Sequence, residues 1–452
     1  MGGNMIRFLK IASFIILISL LGVVLWLGFR PPELLKVGTG YAAKIVCSNV
    51  FLANRDPQEV LALDVQAPGH PLLKFVDVSV DKGRETVTAH IFGFFAPSKA
   101  VYRQGLGCAN VRDEDLRPQL TMPIDAAALI ADININPAVQ NIIENPALAG
   151  PGMRAVAVLK DGQIIAETYA LGFDADMPLL GWSMTKSVMA TLIGMRISEG
   201  KMDFQRDHLL PEWEGDERAN IRLADLLSMQ SGLKFNEDYG AVSDVTRMLF
   251  LENNMTEFAA SLPLEARPGT KFNYSSGTAN ILSKLYMESF DTPEEALTYP
   301  QKVLFEPLGI ASATLEADAS GIFVGSSYLY ANARDWLSIA RFLLDMGKVG
   351  DKQLLSEDFL RLMHTPATES QGRYGSAQTW LQSAGIQAGK EGIPEDAFWM
   401  SGHDGQSLII VPSMNLAIIR LGLTPSRKGY KVPELQAAVI KALQSLQANP
   451  QD

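Results

Sequence analysis

Metal-ligating side chains are scarce. The 452 residues include two cysteines and five histidines. His70, His90, His208, His364 and His403 are scattered, and none pairs with another at ligand spacing. Neither a metal site nor a cofactor is expected. Basic charge is also short: 39 Lys and Arg stand against 50 Asp and Glu. Three of the basic residues fall in the first thirty positions, which contain no acid, so the remainder carries a net charge of −14. There is no basic patch, which argues against nucleic acid as a partner. Internal repeats and low-complexity tracts are absent. Charged residues make up 20% of the chain and aromatics 8%, ordinary values that exclude a disordered protein. A hydrophobic content of 47% is enough for one large domain plus a smaller one.

One long apolar run is present. Ile11 to Phe29 is uncharged over 19 residues, close to the roughly 20 needed to span a bilayer as a helix. Arg7 and Lys10 precede it, so the positive-inside rule keeps the N-terminus cytoplasmic and exports the rest. Residues 1–30 therefore read as a single-pass membrane anchor. A cleaved signal peptide is the rival reading. Against it, Arg30-Pro31-Pro32 follows the run, and the nearest small pair, Gly40 and Ala42, lies well downstream. Both cysteines, Cys47 and Cys108, lie beyond the anchor, where an oxidising compartment would favour a disulfide. Two unpaired core thiols are the alternative.

Residues 36–120 read as a small β-rich region. "FVDVSV" and "ETVTAHIFGFF" flank Asp81-Lys82-Gly83-Arg84 as a hairpin. "GTGYAA" (Gly38–Ala43) mimics a dinucleotide loop but follows no strand and opens no βαβ unit. Met153 to Ala170 is a second hairpin turning at Asp161-Gly162, and Ser407 to Gly422 a third, turning at Pro412–Asn415. The chain between Ser183 and about Leu362 is mostly helical. A final amphipathic helix from Pro433 carries Leu435, Val439, Ala442, Leu443 and Leu446 on one face. Hairpins at both ends of a helical insert predict an α+β fold.

"GWSMTKSVMATLIGMRISEG", from Gly181 to Gly200, is an apolar helix with a lysine near its start. Residues three apart share a helix face, so Ser183 and Lys186 lie side by side. Burial would lower the pKa of Lys186 and make it a base for the serine. Ser-x-x-Lys recurs at Ser79/Lys82, Ser198/Lys201 and Ser231/Lys234, but only Ser183 opens a long apolar helix. Two further stretches join it: Tyr274 in "FNYSSGTANIL", and His403-Asp404-Gly405 in "FWMSGHDGQSLIIV".

In this order the three motifs resemble the serine β-lactamase and penicillin-binding protein superfamily. The resemblance is closest to the branch with class C β-lactamases, family VIII carboxylesterases and 6-aminohexanoate-dimer hydrolase. It covers residues 124–446 and implies an antiparallel sheet flanked by helices, with a largely helical second subdomain. It implies Ser183 as nucleophile, Lys186 as base and Tyr274 as the proton carrier to the leaving group. Gly405 matches the glycine of the family's Lys-Thr-Gly strand motif, and the backbone N–H groups of Ser183 and Gln406 would form the oxyanion hole. Ser276 stands where β-lactamases carry asparagine, and His403 where they carry the lysine that holds a carboxylate. Both departures point towards ester and amide hydrolysis of small substrates. Two alternatives remain: an anchored sensor acylated by β-lactams or cell-wall peptides, and an α/β-hydrolase using Ser183, Asp335 and His403. Trp182, Tyr239, Trp380 and Trp399 are candidate pocket aromatics.

Overall fold

The computed structural model describes residues 2–112 and 132–448. The expected boundary near residues 120–124 lies outside them. Helix α1 (Gly2–Phe29) contains Met5–Trp26, a stretch of mean hydropathy 2.6 with none of it buried, long and apolar enough to cross a membrane.

Helix α2 (Glu33–Ala53) follows after Arg30, Pro31 and Pro32. This corrects the strand-like reading from residue 36. Val37, Thr39, Ile45, Val46 and Val50 favour strands locally, but they are interleaved with Gly38, Gly40, Ala42 and Ala43, whose small side chains let a helix bury closely. "GTGYAA" therefore lies inside a buried helix. The β-rich part begins later, as a four-stranded antiparallel sheet: β1 (Val76–Asp81), β2 (Thr86–Ile91), β3 (Phe95–Arg103) and β4 (Gly107–Val111). The first hairpin has the expected register, with Asp81 opposite Thr86. Helix α2 packs on this sheet, and Cys47 on α2 is disulfide-bonded to Cys108 on β4, Cα atoms 6.0 Å apart.

This layer is tied to the rest of the chain through buried polar groups. Lys44 on α2 forms an ion pair with Glu316, which also accepts hydrogen bonds from the Ser48 hydroxyl (2.8 Å) and the Cys108 N–H (2.7 Å). Asp64 bridges Arg55 and Arg154, and the Arg103 guanidinium donates to the Asp318 carbonyl at 2.8 Å. Groups so deeply buried require partners of this kind.

The central sheet is built from β5 (Met153–Lys160), β6 (Gln163–Tyr169), β7 (Phe398–Gly402), β8 (Gln406–Val411) and β9 (Leu416–Gly422), in the order β7-β8-β9-β5-β6, all antiparallel. The β5–β6 turn uses Asp161 and Gly162 at φ +52° and +79°, as a type I′ turn requires. Its strands are apolar on both faces because both are covered. Ala157, Leu159, Leu408 and Ile419 face the larger core, which runs without interruption into α2. Val156, Val158, Ile409 and Ile418 face a second core shared with helix α6 (below).

Helix α3 (Thr185–Ser198), helix α4 (Ser276–Glu288) and helix α5 (Ala333–Leu344) belong to the segment between the hairpins. Helices are the main regular structure of that segment, separated by long loops, with a small three-stranded sheet of Leu179–Leu180, Leu329–Ala331 and Thr314–Leu315. Helix α6 (Val432–Ala448) closes the chain, with Leu435, Val439 and Leu443 buried in the second core and Ala442 and Leu446 half-buried. Edge strand β7 and the turn before α3 meet beside the nucleophile candidate.

Candidate active site

Ser183 sits in a 3₁₀ turn, Trp182–Met184, that leads into α3. Trp182 holds φ +48°, a left-handed conformation costly for a bulky side chain. The turn is held by Gly181, whose N–H donates to the Leu329 carbonyl at 2.9 Å and where a Cβ would stand 2.3 Å from the Trp336 ring of α5. Ser183 emerges half-buried, its hydroxyl reachable from outside.

Lys186 lies one helical turn on and is 2% exposed. Its Nζ is 2.9 Å from Ser183 Oγ, 3.0 Å from Ser276 Oγ and 2.9 Å from the Ser326 carbonyl oxygen. Burial brings its pKa down to about 8, against a smaller upward pull from Glu237. When the amine is neutral, the surrounding hydrogen-bond directions orient it. Ser276 donates its hydroxyl to Glu237 Oε1, and its N–H donates to Oε2 at 2.8 Å. Ser276 Oγ can then only accept from Lys186, as can the Ser326 carbonyl. Both N–H bonds of a neutral amine are thus committed, and its lone pair is left for the Ser183 hydroxyl.

Tyr274 immediately precedes the Ser275 cap of α4. Its ring lies 4.8 Å from Lys186 Nζ and packs on Trp380, with centroids 5.0 Å apart. Burial raises its pKa and Glu237 adds to the rise, while the Ser183 hydroxyl pulls it back. The phenol therefore stays protonated beside Ser183.

Gly402 ends β7 next to the nucleophile turn. A Cβ there would stand 2.2 Å from the Gly181 carbonyl oxygen, so only glycine allows this approach. Trp399 exchanges both its backbone bonds with Trp380, at 2.8 and 2.9 Å, on the outer edge of β7. Backbone groups alternate between the two sides of an antiparallel strand. Continuing that alternation, Ser401 and His403 turn their N–H groups outwards, while Gly402 pairs with Gln406 inside the ladder. This corrects the expected oxyanion donor: the Gln406 N–H belongs to the sheet, and the outward N–H beside Gly402 is that of His403. Gly402, rather than Gly405, is also the glycine against the nucleophile turn. Gly405 instead adopts φ +85°, and its carbonyl accepts from the fully buried Arg420 at 2.9 Å. The Gln406 side chain bonds the His403 carbonyl at 3.1 Å and the Gly422 N–H at 2.8 Å, fixing the His403–Gly405 turn to β9.

The His403 ring stacks on Tyr239 (centroids 4.5 Å apart, planes 25° apart) and meets Trp182 edge-on at 5.5 Å. These aromatics and Glu237 form the inner end of a cleft of about 790 Å³. Its outer wall comes from the start of α2 and from residues 68–73. Trp399 is core instead: it is fully buried, and its indole N–H donates to Gln436 Oε1 at 2.8 Å. Asp335 does not partner His403. Its carboxylate accepts from the N–H (2.8 Å) and hydroxyl (2.6 Å) of Ser312, and the carboxylate beside His403 is that of Asp404, at 3.4 Å. The Ser183-Asp335-His403 triad is not assembled.

A sequence profile of the Beta-lactamase family matches residues 140–435. The chain belongs to that family. This Beta-lactamase family protein is 24% identical over 317 residues to 6-aminohexanoate-dimer hydrolase of Paenarthrobacter ureafaciens, covering 63% of this chain and 76% of that one. Among solved structures it resembles a putative 6-aminohexanoate-dimer hydrolase from Bacillus anthracis (17% identity, TM-score 0.58, 72% and 88% of the two chains). It also resembles EstCE1, a hydrolase with promiscuous acyltransferase activity (16% identity, TM-score 0.53, 68% and 97%). The protein is accordingly a serine hydrolase by class. Glu237 and the Ser326 carbonyl escaped sequence reasoning. Glu237 lies in the acidic loop Asn236–Asp238, which has no periodicity to mark it, and any residue type could supply the carbonyl.

Proposed function

We propose that this protein hydrolyses small esters or amides through an acyl-enzyme on Ser183, outside the cytoplasm and tethered by α1. The observation that carries the reading is the buried Lys186 amine, 2.9 Å from Ser183 Oγ, with its N–H bonds occupied by Ser276 and Ser326. In the first step Lys186 takes the Ser183 proton as Oγ bonds to the substrate carbonyl carbon. The oxyanion is received by the N–H groups of Ser183 and His403, each such donor contributing roughly 3 kcal/mol to the transition state. As the C–O or C–N bond breaks, Tyr274 protonates the leaving group and recovers its proton from the Lys186 ammonium, whose Nζ lies 4.8 Å from the tyrosine ring. Water then attacks the acyl carbon and gives up a proton to the same pair. Ser183 departs reprotonated, so the net change is one water divided across the bond.

Position 276 is a serine bound to a carboxylate, and His403 stacks in the cleft; both support esters and amides over β-lactams. The 6-aminohexanoate-dimer hydrolase likeness supports the same side. The test is a panel of p-nitrophenyl esters, a linear 6-aminohexanoate dimer and nitrocefin, run on wild type and three variants. Ser183→Ala should abolish turnover and labelling by a serine-reactive phosphonate. Lys186→Ala should lose at least about 10³-fold, because nucleophile and base act as a unit. Tyr274→Phe should lose about 10²–10⁴-fold, the usual share of general acid–base catalysis. A Lys186→Ala variant with near-normal turnover would refute the mechanism.

A further inference from the structure

Residues 33–112 lie outside the matched family region, yet they build the outer wall of the cleft whose inner end is Trp182, the neighbour of Ser183, with Tyr239 and His403. The wall is apolar: Leu34, Val37, Leu72, Leu73 and Ile91 line it, and Phe250 packs on α2 through Tyr41, with ring centroids 5.4 Å apart. The same layer is continuous with α1, because only Arg30, Pro31 and Pro32 separate Phe29 from α2. Helix α1 also touches β3. Next to that strand the β2–β3 turn exposes Phe92 (56%) and Phe94 (62%), and Phe75 (47%) packs on Phe92 with ring centroids 4.9 Å apart. Aromatic side chains left in water at the foot of an apolar helix suit the interfacial zone of a bilayer. An extended apolar patch of this kind has a function more often than not.

We propose that the wall formed by residues 33–112 turns the cleft into a binding site for a long-chain acyl amphiphile taken from the bilayer that holds α1. The carbonyl of that amphiphile is placed at Ser183. The inference rests on the hydrolase reading and adds its substrate class. The turn carrying Phe92 and Phe94 seats the domain on the membrane surface. The acyl chain then lies along the wall of α2 and residues 68–73, and the aromatic end formed by Trp182, Tyr239 and His403 receives the carbonyl.

Two measurements on the full chain in phosphatidylcholine vesicles test this. In the first, the inactive Ser183→Ala protein is photo-crosslinked to a phosphatidylcholine bearing a diazirine in its acyl chain, and the labelled peptides are mapped. Label on residues 34–41 and 68–73 supports the proposal, as does its loss in Phe92→Ser/Phe94→Ser. Label confined to Met5–Phe29 overturns it. This arm does not depend on turnover, so it stands even if the hydrolase reading fails; that failure would show separately as absent Ser183-dependent phosphonate labelling. In the second, kcat/KM is measured for butanoyl to octanoyl p-nitrophenyl esters. Burying each added methylene is worth up to about fourfold, so a rise of about tenfold or more is expected across the series. Leu72→Asp, at the exposed rim of the wall, should remove that rise, read as the octanoyl-to-butanoyl ratio of kcat/KM within the variant. A flat chain-length profile in the wild type overturns the proposal, and so does a rise unaffected by Leu72→Asp.

Discussion

In the proposed mechanism the protonation of Lys186 sets how much Ser183 nucleophile the protein can generate, and burial gives that quantity a direction and a scale. With a pKa of about 8, the amine is neutral in about one molecule in eleven at pH 7 and in about ten of eleven at pH 9. A lysine at the ordinary value of 10.5 would be neutral in roughly three molecules per ten thousand at pH 7. Burial therefore supplies about 300 times more base at neutral pH, equivalent to about 3 kcal/mol. For an ester without ionisable groups, kcat/KM should rise about tenfold between pH 7 and pH 9 and then level off. Glu237 opposes the shift, because its negative charge favours the ammonium. In Glu237→Gln that charge is gone; the amide carbonyl can still accept the Ser276 hydroxyl and keep it an acceptor for Lys186, while the Ser276 N–H loses its acceptor. The midpoint of the profile should then move to lower pH, with the plateau rate largely kept. A pH-stat assay from pH 6 to 10, corrected for hydroxide hydrolysis, reads both curves. A wild-type profile flat between pH 7 and 9 would refute the reasoning, and so would a Glu237→Gln midpoint moved upwards.

Gly402→Ala should drive β7 away from the Gly181 carbonyl and misplace the His403 N–H, lowering kcat by about 10²–10³. Gln406→Ala, which removes only the side-chain bonds to the His403 carbonyl and the Gly422 N–H, should lose less; a Gly402→Ala kcat within about twofold of wild type would contradict the placement of the His403 N–H. The Cys47–Cys108 bond closes a loop of 61 residues, so Cys47→Ala/Cys108→Ala should cost about 4 kcal/mol by the chain-entropy account. Urea unfolding of a fragment beginning at Pro31 would measure this, and that fragment should be soluble and active on short esters without detergent. A fragment that needs detergent, or a disulfide-free variant with unchanged stability, would contradict these expectations.

Local pattern alone carried much of this protein. Apolar alternation with turn residues between the runs marked the hairpins at Asp161-Gly162 and at Pro412–Asn415. The 3.6-residue period marked the last helix, and an uncharged run marked α1. Ser183 and Lys186 were legible because three residues across a 3₁₀ turn and the helix start that follows it keep them one turn apart whatever surrounds them. Helix α2 was misread because its β-branched residues favour a strand, and the decisive force was burial against β1–β4 and the hydrolase. The strand motif was placed one turn too late for a related reason. Sequence shows that His403, Gly405 and Gln406 lie near a strand end, but the direction of each N–H depends on which edge of β7 is paired. Trp399's bonds to Trp380 decide that edge. Glu237, Ser276 and the Ser326 carbonyl meet Lys186 from three separate segments, 51, 90 and 140 residues away along the chain. Local propensity acts over a few residues, so that convergence, and the proton directions it imposes on the amine, exist only once the chain has folded.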